Sequence, residues 1–244
     1  MSRRVMRYQD ARIRVRELTG TGGPTFVLVH GIGVSSRYFE PLAFALHHAG
    51  DVLLLDLPGF GGLPHPRRPL SIAGFAETVR AALAAEEITD AVLIGHSMGA
   101  QVVVEMLSRD DSYRSAVLIG PPVNPAEPAV WQQAGRLLQS ASHESRRMRM
   151  VASSSYLRCG PAWFTQVLPS MMRYPIAARL PLIRTRTLLL HGEHDTVVPP
   201  TWVETMATLL PHACHVQLSG AAHGVVYEHS DQVAELTLEH LAHT

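Results

Sequence analysis

The chain has 244 residues, 46% of them hydrophobic and 17% charged, which is enough apolar material for one large core, or for a core with a small appended lobe. Its formal net charge is zero, so it carries no electrostatic footprint for a nucleic acid partner. All 21 basic residues are arginine, which excludes Schiff-base chemistry, pyridoxal attachment and a Ser-Lys dyad. Two cysteines, Cys159 and Cys214, are too few for a disulfide scaffold at this length, and both read as reduced. The N-terminus opens Met-Ser-Arg-Arg and passes into alternating sequence, without the apolar run of about 7 to 15 residues that marks a secretory signal. Nor does any stretch reach the ~18 apolar residues of a membrane span. A cytoplasmic protein with no membrane partner, monomeric or homodimeric, is the expectation.

In chain order, residues 3–18 alternate apolar and charged positions around Gln9-Asp10 and predict a two-stranded hairpin with one wet face. Its arginines, Arg3, Arg4, Arg7, Arg12, Arg14 and Arg16, read as charges that guard an edge strand against pairing. Thr25-Phe26-Val27-Leu28-Val29 is a continuous apolar run of the kind buried on both faces in a parallel sheet, and it stops at His30-Gly31-Ile32-Gly33. A helix over 36–48 follows, then a strand over 51–56 and the loop Leu57-Pro58-Gly59-Phe60-Gly61-Gly62. Residues 71–86 have helical spacing with Ser71 as cap.

Next comes an apolar run from Ala91 that breaks at Gly95-His96-Ser97-Met98-Gly99 and resumes at once as Ala100-Gln101-Val102-Val103-Val104. A serine there sits on a strand-to-helix bend, with glycines leaving room for close backbone passage and the helix dipole beneath its oxygen. The competing reading is a turn whose serine only caps a helix.

A further strand over 115–119 ends at Gly120-Pro121-Pro122. From 121 to 183 the β/α alternation stops, and prolines punctuate a segment rich in Met and aromatic residues. Short helices with an apolar face best explain it. The alternation resumes with Thr187-Leu188-Leu189-Leu190-His191-Gly192, a helix near 201–210, a strand over 213–218 and a helix over 230–242. This pattern predicts an α/β fold built on a mostly parallel, doubly wound, eight-stranded sheet, with a core of residues 1–120 and 184–244 and an inserted helical cap over 121–183. Ligands of such sheets lie beyond the carboxyl ends of the strands.

Two loops on that edge complete the chemistry. Gly192-Glu193-His194-Asp195-Thr196 places Asp195 just past an apolar strand, and Gly220-Ala221-Ala222-His223-Gly224 follows the last strand. A serine needs a base and the base an orienting acid, and Ser97, Asp195 and His223 supply all three. Read singly, Asp195 could cap a helix near 196–200, and His223 could be one solvated histidine among 14. His191 and His194 bracket Asp195, but no third ligand has matching spacing, so neither a metal nor any other cofactor is expected.

On these motifs the chain resembles serine α/β-hydrolases with a small helical cap, the group of esterases, lactonases and carbon–carbon bond hydrolases. Two positions depart from many relatives: Ala100 stands after Gly99 where a second glycine is common, and Ala221-Ala222 precede the histidine where Ala-Gly or Cys-Gly is common. Both keep small residues. The resemblance implies that Ser97 attacks a carbonyl, His223 takes its proton and Asp195 holds the histidine tautomer, with the oxyanion met by the backbone N–H groups of Ile32 and Met98. Each such donor contributes about 3–4 kcal/mol to the transition state. The implied substrate is a small, largely apolar ester or lactone. Alternatives are hydrolysis of a carbon–carbon bond in a diketo acid, whose enzymes often carry Trp soon after the histidine where this chain has Gly224-Val225-Val226-Tyr227, or a hormone-receptor-like protein that cleaves a lactone slowly. Seven arginines against Glu127 and Glu144 give residues 121–183 a formal +5. Their simplest placement is in water, with their stems over apolar surface.

Overall fold

The computed structural model describes residues 1–243, and in it the apolar runs form one eight-stranded sheet. The N-terminal hairpin is β1 (Ser2–Tyr8) and β2 (Ala11–Leu18), turning through Gln9 at φ +54°. The remaining strands, mutually parallel, are β3 (Thr25–Val29), β4 (Asp51–Asp56), β5 (Ala91–His96), β6 (Ser115–Ile119), β7 (Thr187–Gly192) and β8 (Ala213–Leu218). Their order is β1-β2-β4-β3-β5-β6-β7-β8, with β2 antiparallel to both neighbours.

Because side chains alternate along a strand, each run feeds two cores. Phe26 and Leu28 of β3, Val52 and Leu54 of β4, and Val92 and Ile94 of β5 pack beneath α1 (Glu40–Leu46), α9 (Val225–Glu228) and α10 (Ser230–Ala242). Val27 and Val29, Leu53 and Leu55, and Leu93 pack on the other face, against α2 (Ile72–Ala85), α3 (Met98–Leu107) and α8 (Pro200–Leu209). Ser71 caps α2, its hydroxyl oxygen accepting from the Gly74 N–H at 3.1 Å. The helix expected over 36–48 is divided into a 3₁₀ turn at Ser36–Phe39 and α1. Pro41 in the first turn of α1 has no N–H to continue the ladder from the preceding turn.

Between β6 and β7 the chain forms α4 (Val130–Ala141), α5 (Arg146–Cys159), α6 (Pro161–Met172) and α7 (Ile176–Arg179). Trp163 of α6 is buried, with its ring 4.7 Å from His65 and 6.4 Å from Phe60. That close approach requires Gly59, at φ +82°, because a Cβ there would run into the indole. No helix among the described residues is long and apolar enough to cross a membrane.

Two of the hairpin arginines differ from the expected solvent-facing guards. Arg14 is buried and donates from Nη1 to Asp56 Oδ2 at 2.6 Å and to the Gly61 carbonyl at 2.8 Å, while Arg16 reaches Glu40 at 2.7 Å. Asp56 Oδ1 also accepts from the Ser36 N–H at 2.7 Å, so the pair pins the hairpin and both loops after β3 and β4. Removing one member of a buried pair leaves an uncompensated charge, at a cost of about 3–5 kcal/mol. Arg14→Met is therefore expected to lower unfolding stability by about 3 kcal/mol in a denaturant titration. An unchanged midpoint would show the pair to be idle.

Candidate active site

β5 ends at His96 and α3 starts at Met98, so strand becomes helix through one residue, Ser97. Its backbone lies at φ +55° and ψ −124°, a conformation that costs an L residue about 1–3 kcal/mol. The flanking glycines permit the bend. A Cβ on Gly95 would stand 2.5 Å from the Gly99 carbonyl oxygen, and one on Gly99 would overlap the Val29 carbonyl. The helix-cap alternative does not hold, because the Ser97 hydroxyl makes no capping bond.

Asp195 and His223, carried by the loops after β7 and β8, meet at that edge. His223 donates from Nδ1 to Asp195 Oδ2 at 2.9 Å, and Asp195 Oδ1 accepts from the Val197 N–H at 3.1 Å. The capping role that competed for Asp195 thus survives only as a local turn, on the oxygen that His223 does not use. Gly120, at φ +54° after β6, lies against the pair, and a Cβ there would sit 3.0 Å from Asp195 Oδ2. His223 is buried, not solvated. Burial alone would lower its pKa, but the Asp195 charge and hydrogen bond, with a further contribution from Glu144, outweigh that and raise it above 6.5.

Ser97 and His223 border one cavity of about 420 Å³, together with Gly31, Ile32, Leu137, Met148 and Leu168. Gly31 abuts the serine, since a Cβ on it would lie 3.0 Å from Ser97 Cβ and 3.4 Å from Oγ. Ile32 follows Gly31 and Met98 follows Ser97 in the chain, and neither N–H donates in a turn or loop hydrogen bond to backbone among the described residues. His30 fixes the loop: its Nδ1–H donates to the Gly31 carbonyl at 2.7 Å, and its Nε2 accepts from the Leu57 N–H at 3.0 Å. Both bonds require the neutral ring, in keeping with a pKa lowered by burial.

Several neighbours carry no sequence signal of their own. His96 donates from Nε2 to the His223 carbonyl at 2.9 Å and is held neutral, first by burial and then by the adjacent His223. Ser140, at the end of α4, accepts from the His223 N–H at 2.9 Å. Glu144 lines the cavity close to both. His194 turns away and stacks on His143, with ring centroids 4.4 Å apart. Of the seven arginines in 121–183, Arg149 alone borders the cavity, and its Nη1 is spent on the Glu144 and Ala141 carbonyls at 3.0 and 3.4 Å.

A family model described as the alpha/beta hydrolase family matches residues 26–236. The chain belongs to the α/β-hydrolase family. Among its relatives, the polyketide synthase ThaQ of Burkholderia thailandensis is 26% identical over 260 residues, a match that takes in 95% of this chain but only 12% of the synthase. The pimeloyl-[acyl-carrier protein] methyl ester esterase of Xanthomonas oryzae pv. oryzae is 24% identical over 240 residues, covering 87% of this chain and 93% of that enzyme. The solved structure of Est816, described as an N-acyl homoserine lactone degrading enzyme, superposes with a TM-score of 0.86 at 18% identity, over 97% of this chain and 99% of Est816. That likeness is one of fold.

In this α/β-hydrolase the strain of the bend at Ser97 has a measurable sign. Glycine adopts the Ser97 conformation freely, so Ser97→Gly is expected to raise unfolding stability by about 1 kcal/mol after the entropy that glycine adds to the unfolded chain. A loss of stability in calorimetry would show that the bend is unstrained.

Proposed function

We propose that the protein is a serine hydrolase that cleaves a carboxylic ester or lactone through an acyl-enzyme. The observation that carries this reading is the 2.9 Å His223–Asp195 bond at the wall of a cavity that Ser97 also borders. Ser97 Oγ attacks the substrate carbonyl while its proton passes to His223 Nε2, and Asp195 keeps Nδ1 protonated and stabilises the charged ring. The Ile32 and Met98 N–H groups, which donate in no turn or loop hydrogen bond to backbone among the described residues, receive the oxyanion. The ester C–O bond then breaks and the alkoxide leaves with the histidine's proton, as alcohol. Water attacks the acyl-serine, His223 takes its proton and returns it to Ser97 Oγ, and the carboxylic acid departs.

Residues 121–183 serve as the cap in this reading. Leu137, Met148, Tyr156, Phe164 and Leu168 enclose the substrate, and Arg149, the one cap arginine on the cavity, has its Nη1 engaged by the Glu144 carbonyl. Neutral, short to medium acyl groups are the preferred class. The similarity to the Xanthomonas methyl ester esterase supports ester cleavage over the carbon–carbon alternative.

A fluorophosphonate is expected to label Ser97 alone, and Ser97→Ala to lower kcat on p-nitrophenyl esters at least about 10⁴-fold with the fold intact. Labelling mapped to another serine would overturn the assignment.

The pH profile carries a sign. The base works only when neutral, so kcat/KM falls as pH drops through the His223 pKa, and the acid limb is expected above pH 6.5. Asp195→Asn removes the larger raising influence and leaves burial opposed only by Glu144, so the limb moves down while kcat falls about 10³–10⁴-fold. A limb unmoved by that substitution would contradict Asp195 as the partner.

A further inference from the structure

The cavity wall contains one carboxyl group with no work assigned in the triad. Glu144, in the turn between α4 and α5, is 9% exposed and borders the cavity beside Tyr38, Tyr156 and His223. No arginine or histidine pairs with it among the described residues, and Arg149 bonds its backbone carbonyl rather than its carboxylate. The backbone of Gly224 lies against it and favours its charged form, and a Cβ on Gly224 would be 2.9 Å from Glu144 Oε1. Tyr38 and Tyr156 both feel its charge, yet neither phenol donates to it. Burial pushes the Glu144 carboxyl upward, as expected for an acid held in a largely apolar wall. An apolar residue would fill this position at lower cost, since buried polar groups are unfavourable unless bonded. A group left short of partners at a cavity wall is placed to be completed by what enters the cavity.

Building on the serine-hydrolase reading, we propose that Glu144 forms a polar subsite in the Ser97 cavity that accepts a hydrogen bond from a hydroxyl group of the substrate. Oε1 lies on the Gly224 side, and the acceptor capacity that Gly224 does not use serves the ligand. The carboxyl keeps acceptor capacity in either protonation state, so a neutral hydroxyl suits it throughout. A substrate carboxylate would instead bring like charge to a site of low dielectric. The favoured substrates are hydroxylated acyl or alkoxy chains, apolar except at the one position that reaches Glu144.

Matched esters ending in methyl, hydroxyl or carboxylate, varied in length on the acyl side and then on the alcohol side, test the subsite. At one length the hydroxyl member is expected to exceed its methyl counterpart about tenfold in kcat/KM, with the carboxylate member below both. Glu144→Met should abolish the hydroxyl-to-methyl ratio, whereas Glu144→Gln, which keeps a carbonyl acceptor, should retain part of it and relax the rejection of carboxylate. A methyl preference at every length, or a hydroxyl preference that survives Glu144→Met, would overturn the proposal. Binding of the corresponding methyl ketones to the Ser97→Ala chain, followed by calorimetry, reads the subsite without turnover. There the hydroxy-ketone should bind about tenfold more tightly than the alkyl ketone. Equal affinities would refute the subsite even where the esters are hydrolysed, and a retained difference in a chain that hydrolyses no ester would refute the serine chemistry alone.

Discussion

The passage from β5 to α3 through a single residue at positive φ constrains the rest of the site. A parallel strand that must hand over to a helix without a loop has room for one residue, and the positions two residues away on each side must lack side chains. Gly95 and Gly99 meet that demand against the Gly99 and Val29 carbonyls. The strain is local, while the restraint on it is global: β5 is central in the sheet, every residue in it is buried, and α3 is buried along its whole length. A bend costing about 1–3 kcal/mol is held because two hydrophobic cores would have to move to release it. The parallel arrangement then delivers the loops after β3, β6, β7 and β8 to the same edge, which is why Gly31 abuts Ser97, Gly120 abuts the Asp195–His223 pair, and His223 shares a cavity with Ser97.

Polar groups near that edge are buried in pairs, each with a definite mechanical role. Arg14 and Asp56 tie the edge hairpin to the loops after β3 and β4. His30 holds its loop through a donor on one ring nitrogen and an acceptor on the other, a use open only to neutral imidazole. His96 and Ser140 grip the His223 backbone from opposite sides, through its carbonyl and its N–H. The histidine is thus positioned by β5 and α4 as well as by Asp195, so the helical segment after β6 reaches the core site directly. Glu144 stands apart, a buried acid whose neighbours leave it incomplete.

The strands are readable from sequence because β3 to β7 are near-continuous apolar runs ended by Gly or Pro, and a run buried on both faces has no rival interpretation at that length. The family to which the chain belongs is readable for the same reason, through glycine-marked turns at the ends of those runs. The environment of each arginine is less accessible. Arg12 and Arg14 occupy similar alternating sequence, yet one is exposed and the other is buried on Asp56, because only the residue facing β4 has a carboxylate across from it. The contributions of Ser140 and Glu144 are equally silent, since helical periodicity in 121–183 gives faces but not which face meets the β8 loop. The split of residues 36–48 into a 3₁₀ turn and a helix turns on Pro41, whose effect depends on where the first turn starts.

The measurement that bears most directly on the account is rapid-quench mass spectrometry of the protein mixed with a slowly deacylating ester. The account predicts a transient mass increase equal to the acyl group, with peptide mapping placing it on Ser97. Turnover with no acyl adduct at any quench time would contradict it.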